Sequence, residues 1–432
     1  MPAPDVAALL AELERSEPDV AESARVAVEW LAGGEALETI SQLDVCEFLW
    51  YTLPIKVPGD QPAIARALGA LLRLGGMERY AALCDSPATI RILRTYAREG
   101  EEAGSAAYHQ ELETTGVLPP DIGELSWSSI MGPEELGAHV ACAAALELAI
   151  MAGDPVDRTE LTRRWLTAAR PELGGDCWLN RVHGERLNRW VLGRGSARRE
   201  LAQPFEVRLH APIPAPEEPH LEPLRWLLEL GRGGVRLTER LNLSRAVAAE
   251  AADRFGWDAE AARSVRGEGD VPPLSALKEI AVGQIGALRR SGRKLVLTPT
   301  GRMLLDHPRS LWGPATAALL TPAKGEHDFE VSIRESALMF LVDGGAVPYA
   351  TLRDQVAEVV NGEGWRTAAG GQVTVVDLAG PLWELQRRLD ALGLRAGCSP
   401  GSPWRLTEAG RSAALAALRA QALRPRQYAG LG

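Results

Sequence analysis

KLVLTPTGRMLL, residues 294–305, reads as a short strand that ends in Thr and runs straight into a helix with Gly-Arg in its first turn. The stretch PWRLTEAGRSAAL, Pro403–Leu415, repeats the sentence, with Thr298 matching Thr407 and Gly301-Arg302 matching Gly410-Arg411 at a single offset of 109. A Thr at that junction can accept a hydrogen bond from one of the free N–H groups of the next helix. Pro299 then takes the first helical position, where its missing N–H costs nothing. Glycine in the first turn predicts close approach of helix to strand. The following Arg can reach back along the strand, to a carboxylate or outward to a phosphate.

Working outward, each junction closes a similar series of elements. In the first copy PLRWLLELG is a short helix stopped by Gly231, VRL a brief strand, and LSRAVAAEAADRFGW a helix capped by Ser244. PPLSALKEIAVGQIGALRRSG begins with Pro-Pro and repeats apolar residues at Leu274, Leu277, Ala281, Ile285 and Leu288, a helical period. Ser291-Gly292 is a tight-turn signal between ALRR and RKLVLT, which predicts a β-hairpin. In the second copy SALMFLVDGG, AVPY, TLRDQVAEVVNGEG and LAGPLWELQRRLDALG follow the same order, and LRAG, CSPGSP and WRLT read as a hairpin with a Pro-Gly turn.

Helix, strand, helix, helix, hairpin, helix is the winged-helix order. The LVLTPTGRMLL and WRLTEAGRSAAL signatures resemble the wing-to-last-helix junction of bacterial winged-helix regulators of the MarR and PadR type. The first copy is also similar to the C-terminal halves of proteins from high-GC bacteria. This resemblance implies DNA-associated regulation, with the third helix reading a major groove and the wing on the backbone. One departure is the long loop before each third helix.

The 432 residues exceed one ordinary core, and 46% hydrophobic content with a mean hydropathy of −0.09 describes packed domains, not disorder. The reading is a mainly α protein with five parts: a helical domain over 1–130, a helical region over 131–209 able to form a helix-turn-helix core, a Pro-rich linker over 210–221, and tandem winged helices (α+β) over 222–322 and 328–425. LDVCEFLWYTLP predicts the centre of the N-terminal core, Glu101–Met131 a long connection, and Leu136–Gly153 a buried core helix in place of a membrane span. CWLNRVHGERLNRWVL predicts a helix with Arg181, Arg186 and Arg189 on its polar face, and the tail from Leu423 is expected to fray.

The formal charge of −10 argues against a general nucleic-acid binder. It is unevenly spread. Residues 1–60 carry 12 acids against Arg15, Arg25 and Lys56, whereas residues 280–305 hold Arg289, Arg290, Arg293, Lys294 and Arg302 and no acid. The N-terminus lacks a basic leader region, which predicts a cytoplasmic chain. Five scattered Cys and seven scattered His show no zinc spacing, so no metal or cofactor is expected. The GRGG and GEGD stretches lack a phosphate-loop Lys-Ser/Thr, GxSxG and HExxH are absent, and the reading is not an enzyme.

Two functions fit. In the first, the partner is double-stranded DNA: Arg289, Arg290, Arg293 and Lys294 flank the hairpin turn for phosphates. The third helix of the first copy then offers Ser275, Lys278, Glu279 and Gln284, and that of the second turns Gln386, Arg387 and Arg388 outward toward bases. In the second function the same modules serve as a protein-interaction scaffold without DNA binding, a use the acidic pI of about 5.4 favours. A homodimer is compatible with either.

Overall fold

The computed structural model describes residues 5–33, 37–153, 157–217, 219–257, 265–323, 325–397 and 401–427. The chain is mainly helical, with a small three-stranded antiparallel sheet. It divides into two compact units: Met1–Val182 together with Pro425–Gly432, and His183–Arg424. No helix among the described residues is long and apolar enough to cross a membrane.

The first unit contains α1 (Val6–Ser16), α2 (Pro18–Ala32), α3 (Gln42–Glu47), α4 (Leu53–Lys56), α5 (Gln61–Leu74), α6 (Glu78–Cys84), α7 (Pro87–Glu99), α8 (Glu101–Thr114), α9 (Pro133–Met151) and α10 (Arg158–Thr167), and α11 (Trp178–Leu192) begins in it. A π-helical turn, Phe48–Thr52, joins α3 to α4 and buries Phe48, Leu49 and Trp50. Trp50 Nε1 donates to Thr89 Oγ1 at 2.7 Å, so the largest core side chain keeps its polar atom paired. Burial pushes the thiols of Cys46, Cys84 and Cys142 up to about 12, so they remain protonated packing groups.

Three expectations need correction here. Glu101–Thr114 is not connection but helix α8, which packs on α7 and buries a row at i, i+4, i+8: Gly104, Tyr108 and Leu112. A Cβ at Gly104 would lie 2.3 Å from the Tyr96 ring. With glycine as one of three contact positions, the helix carries almost no hydrophobic period. Helix α9 is not wholly buried either: Ala138, Cys142, Ala143 and Leu146 face the core, while Leu136, Val140, Leu148 and Met151 face outward. The tail is held in place through its described residues, up to Gln427. Ser129 N donates to Arg426 O at 2.8 Å, and Arg426 N to Ser128 Oγ at 3.0 Å. Ser128 is itself held by the buried Glu135 carboxylate at 2.7 and 3.1 Å.

The second unit holds the rest of α11 and α12 (Ser196–Arg208), followed by the two copies of the repeat. The first comprises α13 (Glu222–Gly233), β1 (Val235–Arg236), α14 (Arg245–Phe255), α15 (Pro272–Glu279, continued by a π turn, Ile280–Gln284), β2 (Leu288–Ser291), β3 (Lys294–Leu297) and α16 (Pro299–Asp306). After α17 (Trp312–Ala317) the second copy runs through α18 (Asp328–Asp343), α19 (Tyr349–Gly362), α20 (Ala379–Ala391) and α21 (Glu408–Ala422). One continuous hydrophobic core joins both copies to α11 and α12.

Strand order is β1-β3-β2, with Val235 opposite Leu295, Arg236 opposite Lys294, Leu288 opposite Leu297 and Arg290 opposite Leu295. The tight turn falls on Gly292-Arg293, one residue later than the sequence signal, with Gly292 in the left-handed region. In the second copy the sheet shrinks to single bridges, Val347 to Trp404 and Arg395 to Leu406. The latter is the counterpart of Leu288–Leu297. Part of its Pro-Gly turn, with Cys398, lies outside the described residues.

The repeated Thr and Gly do the same work twice. Thr298 Oγ1 accepts from Gly301 N at 3.0 Å and donates to Ala287 O at 3.1 Å. Thr407 Oγ1 accepts from Gly410 N at 2.9 Å and donates to Leu394 O at 3.2 Å. A Cβ on Gly301 would sit 2.0 Å from Ala287 O, and one on Gly410 2.0 Å from Leu394 O. Each final helix therefore starts against the carbonyl that opens its hairpin, a contact only glycine permits.

Helix α12 has no counterpart in the sequence reading. Its Arg198 is fully buried between Glu335 and Glu363, at 3.1 and 3.2 Å, over the Trp190 ring at 4.6 Å. The Pro-rich stretch after it is extended and lies against α17, where Ile213 O accepts from Trp312 Nε1 at 3.3 Å. On α11, Arg186 is not on an exposed face as expected: it is buried and donates to Leu423 O at 2.6 Å.

Candidate nucleic-acid interface

Strand alternation divides the hairpin's cations between two sides of the sheet. Leu288, Leu295, Leu297 and Val235 point into the core. Arg236, Arg289, Ser291, Lys294 and Val296 occupy the opposite face, and Arg290 rims the inner side as the partner of Leu295. Arg289, Arg290, Arg293 and Lys294 are all exposed around the hairpin turn, with Arg289 and Lys294 on one face and Arg290 on the other. Arg293 lies 3.7 Å from the exposed Glu239. Among the described residues Arg236, Arg289, Arg290 and Lys294 make no ion pair.

Arg236 was not among the expected residues. It sits 58 positions before Lys294 in the sequence, and only the β1–β3 register sets the two side by side. Like charges placed directly opposite on paired strands are destabilising. The outer face of this sheet thus concentrates positive charge at some cost to the fold, in a chain whose overall charge is −10.

The third helices behave differently from expectation. Helices α15 and α20 pack against each other, and Arg387 bridges them with its guanidinium 3.0 Å from Glu279 while also pairing with Glu384. It stacks over Trp383 at 4.5 Å. Arg388 does not face outward. It is 1% exposed and binds Glu384 at 2.7 Å, and it donates to Ala318 O and Thr321 O at 2.8 and 2.7 Å, closing the end of α17. Burial, with Arg334 nearby, lowers its guanidinium pKa. Gln386 is half-buried.

The polar residues of α15 are likewise used internally. Lys278 pairs with the buried Glu268 at 2.5 Å, and Glu268 also accepts from Leu243 N. Ser275 Oγ reaches Glu268 O at 3.4 Å. Gln284, with its amide turned to satisfy both ends, donates to Ala318 O and accepts from Arg388. Trp257 Nε1 adds a further tie between the copies by donating to Asp390 O at 3.2 Å. Of the expected base-reading residues, Arg387 and Glu279 tie the two copies together, Gln284 and Arg388 meet at the end of α17, and Ser275 and Lys278 are used within the first copy.

Among the described residues no group of three or more His, Cys, Asp or Glu side chains is arranged to hold a metal ion. Residues 224–310 match the family model described as the Y4jL N-terminal domain, a span from the first turn of α13 past the end of α16 that encloses the cationic hairpin. No curated protein and no solved structure matches the chain.

Proposed function

We propose that α13–α16 and α18–α21 are tandem winged-helix modules, and that the protein is DNA-associated through the wing of the first. The contact is with phosphates and is independent of sequence. One observation carries it: Arg236, Lys294 and Arg289 share an exposed sheet face and make no ion pair among the described residues, and Arg236 and Lys294 stand directly opposite each other. Phosphate oxygens would relieve that repulsion, and neutralising phosphates releases counterions. Reading of bases by α15 or α20 is not part of the proposal, since each occupies the other's outer face.

The test is duplex binding by the full chain at two salt concentrations. Four phosphate contacts, from Arg236, Arg289, Arg290 and Lys294, correspond to a slope of about −3.6 in log K against log salt, or about a 150-fold loss between 50 and 200 mM. Arg236→Ala/Arg289→Ala/Lys294→Ala should leave a slope near −0.9 and about a threefold to fourfold loss over the same range. An unchanged slope in the triple variant refutes the wing as the contact surface.

The burial of α15 on α20 favours a second reading, a protein-interaction scaffold in which winged-helix surfaces are spent on packing. Absence of duplex binding by the wild-type chain even at 50 mM salt would select it.

A further inference from the structure

Helix α9 carries a row of outward side chains at strict four-residue spacing: Leu136, Val140, Ala144 and Leu148, extended by Met151. Leu136 is 52% exposed, Leu148 65% and Met151 61%, unusual for large apolar groups in a row. The helix's three carboxylates offer this row no relief. Glu134 is clamped by Arg181 with two bonds of 2.6 Å, Glu135 holds Ser128, and Glu147 accepts from Gln42 N and Tyr80 Oη at 2.8 Å each.

The row is its own complement. Ala144 lies at its centre, with Val140 and Leu148 four residues to either side and Leu136 and Met151 beyond them. A two-fold axis through Ala144 sets Val140 against Leu148 of the other copy and Leu136 against Met151. The small side chains of Ala144 and Ala141 at the axis let the backbones approach. Rows at i±4n spacing interdigitate at a crossing angle near −50°. We infer that the α9 row is a self-association surface, and that its occupant is the same face of a second copy of this chain.

The scale of the surface fits that occupant. The exposures above leave on the order of 400 Å² of apolar surface per copy, within the range of functional patches. Pairing two copies, with the flanking residues, buries roughly 1,000 Å², the lower bound for a specific interface. An interface of that size suits a weak, reversible dimer. Since each copy carries −10, added salt should strengthen the dimer by screening repulsion, the reverse of its effect on phosphate binding. The two proposals therefore fail independently.

Sedimentation equilibrium of the full chain from 1 to 100 µM, at 50 and 300 mM salt, reads the association directly. The expected result is a dimer that tightens with salt, is weakened at least 30-fold by Val140→Asp or Leu148→Asp, and is unaffected by Ile90→Asp, a change at an exposed apolar site elsewhere in the unit. Since Val140 and Leu148 are exposed, helical content by circular dichroism should stay at the wild-type level. Ala144→Cys should form a disulfide between copies on mild oxidation, because the axis brings that position against itself. A monomer at 100 µM in 300 mM salt overturns the inference. So does a dimer indifferent to both Asp substitutions.

Discussion

Replacing Gly301 or Gly410 with alanine tests the junction that the two repeat copies share. At each site the added Cβ would lie 2.0 Å from a carbonyl oxygen, Ala287 O or Leu394 O. Ordinary contact between such atoms begins more than 1 Å further out, and the obstacle is backbone held by the hairpin, so no side chain can swing aside. Overpacking a rigid site costs about 1–3 kcal/mol and sometimes more, and here the upper figure applies. Against it, alanine gains under about 1 kcal/mol over glycine in helix propensity. The net expectation is a loss of about 2–3 kcal/mol. For a unit the size of His183–Arg424 that lowers Tm by about 4–12 °C in calorimetry. The caps supply the internal comparison: Thr298→Ala and Thr407→Ala should each cost about 1 kcal/mol, since a hydroxyl is lost but nothing collides. Gly301→Ala within 0.5 kcal/mol of wild type would refute the close approach and the shared role of the two glycines.

Arg388→Met should destabilise the second unit by about 3 kcal/mol in urea titrations, because Glu384 and the carbonyls of Ala318 and Thr321 lose a buried partner. The same variant should leave the salt slope of duplex binding unchanged, in contrast to the hairpin variants. His139, half-buried against Trp127, is lowered from 6.5 to about 4 by burial. The unfolded chain therefore binds its proton first, and the first unit should keep full stability above pH 6.5 and lose up to about 3 kcal/mol as pH falls toward 4. His139→Phe should flatten that part of the pH profile, measured by chemical denaturation, and an unaltered profile would exclude the assignment.

The repeat was legible because its signals are local. A Thr cap and a glycine three residues on each have a single physical reading, and both copies use them identically, the first adding Pro299 where the second has Glu408. The missed helices failed for an equally definite reason. In α8 the contact row is Gly104-Tyr108-Leu112, and glycine leaves no hydrophobic mark. In α12 an internal Pro204 and the charged Arg198, Arg199 and Glu200 disguise a segment whose burial rests on an ion pair with Glu335 and Glu363. Arg387 and Arg388 were read as outward because charge ordinarily is. Glu384 on the same helix pairs with both, but Glu279 and the carbonyls at the end of α17 that complete their surroundings lie between about 70 and 110 residues away, and no local pattern reports them. Arg236 shows the converse, a cation with no local emphasis that becomes part of the surface through strand register alone.

The docking of Arg426 and Gln427 on the loop 127–130 makes the first unit discontinuous, with the whole of the second inserted between its two pieces. During synthesis the helices up to α10 must wait for some 240 further residues before their last strand of contacts exists. A nascent chain would thus hold Ser128 without its Arg426 partner until those residues have been made. A deletion of Pro425–Gly432 should register at the loop 127–130, some 300 residues before the cut in sequence.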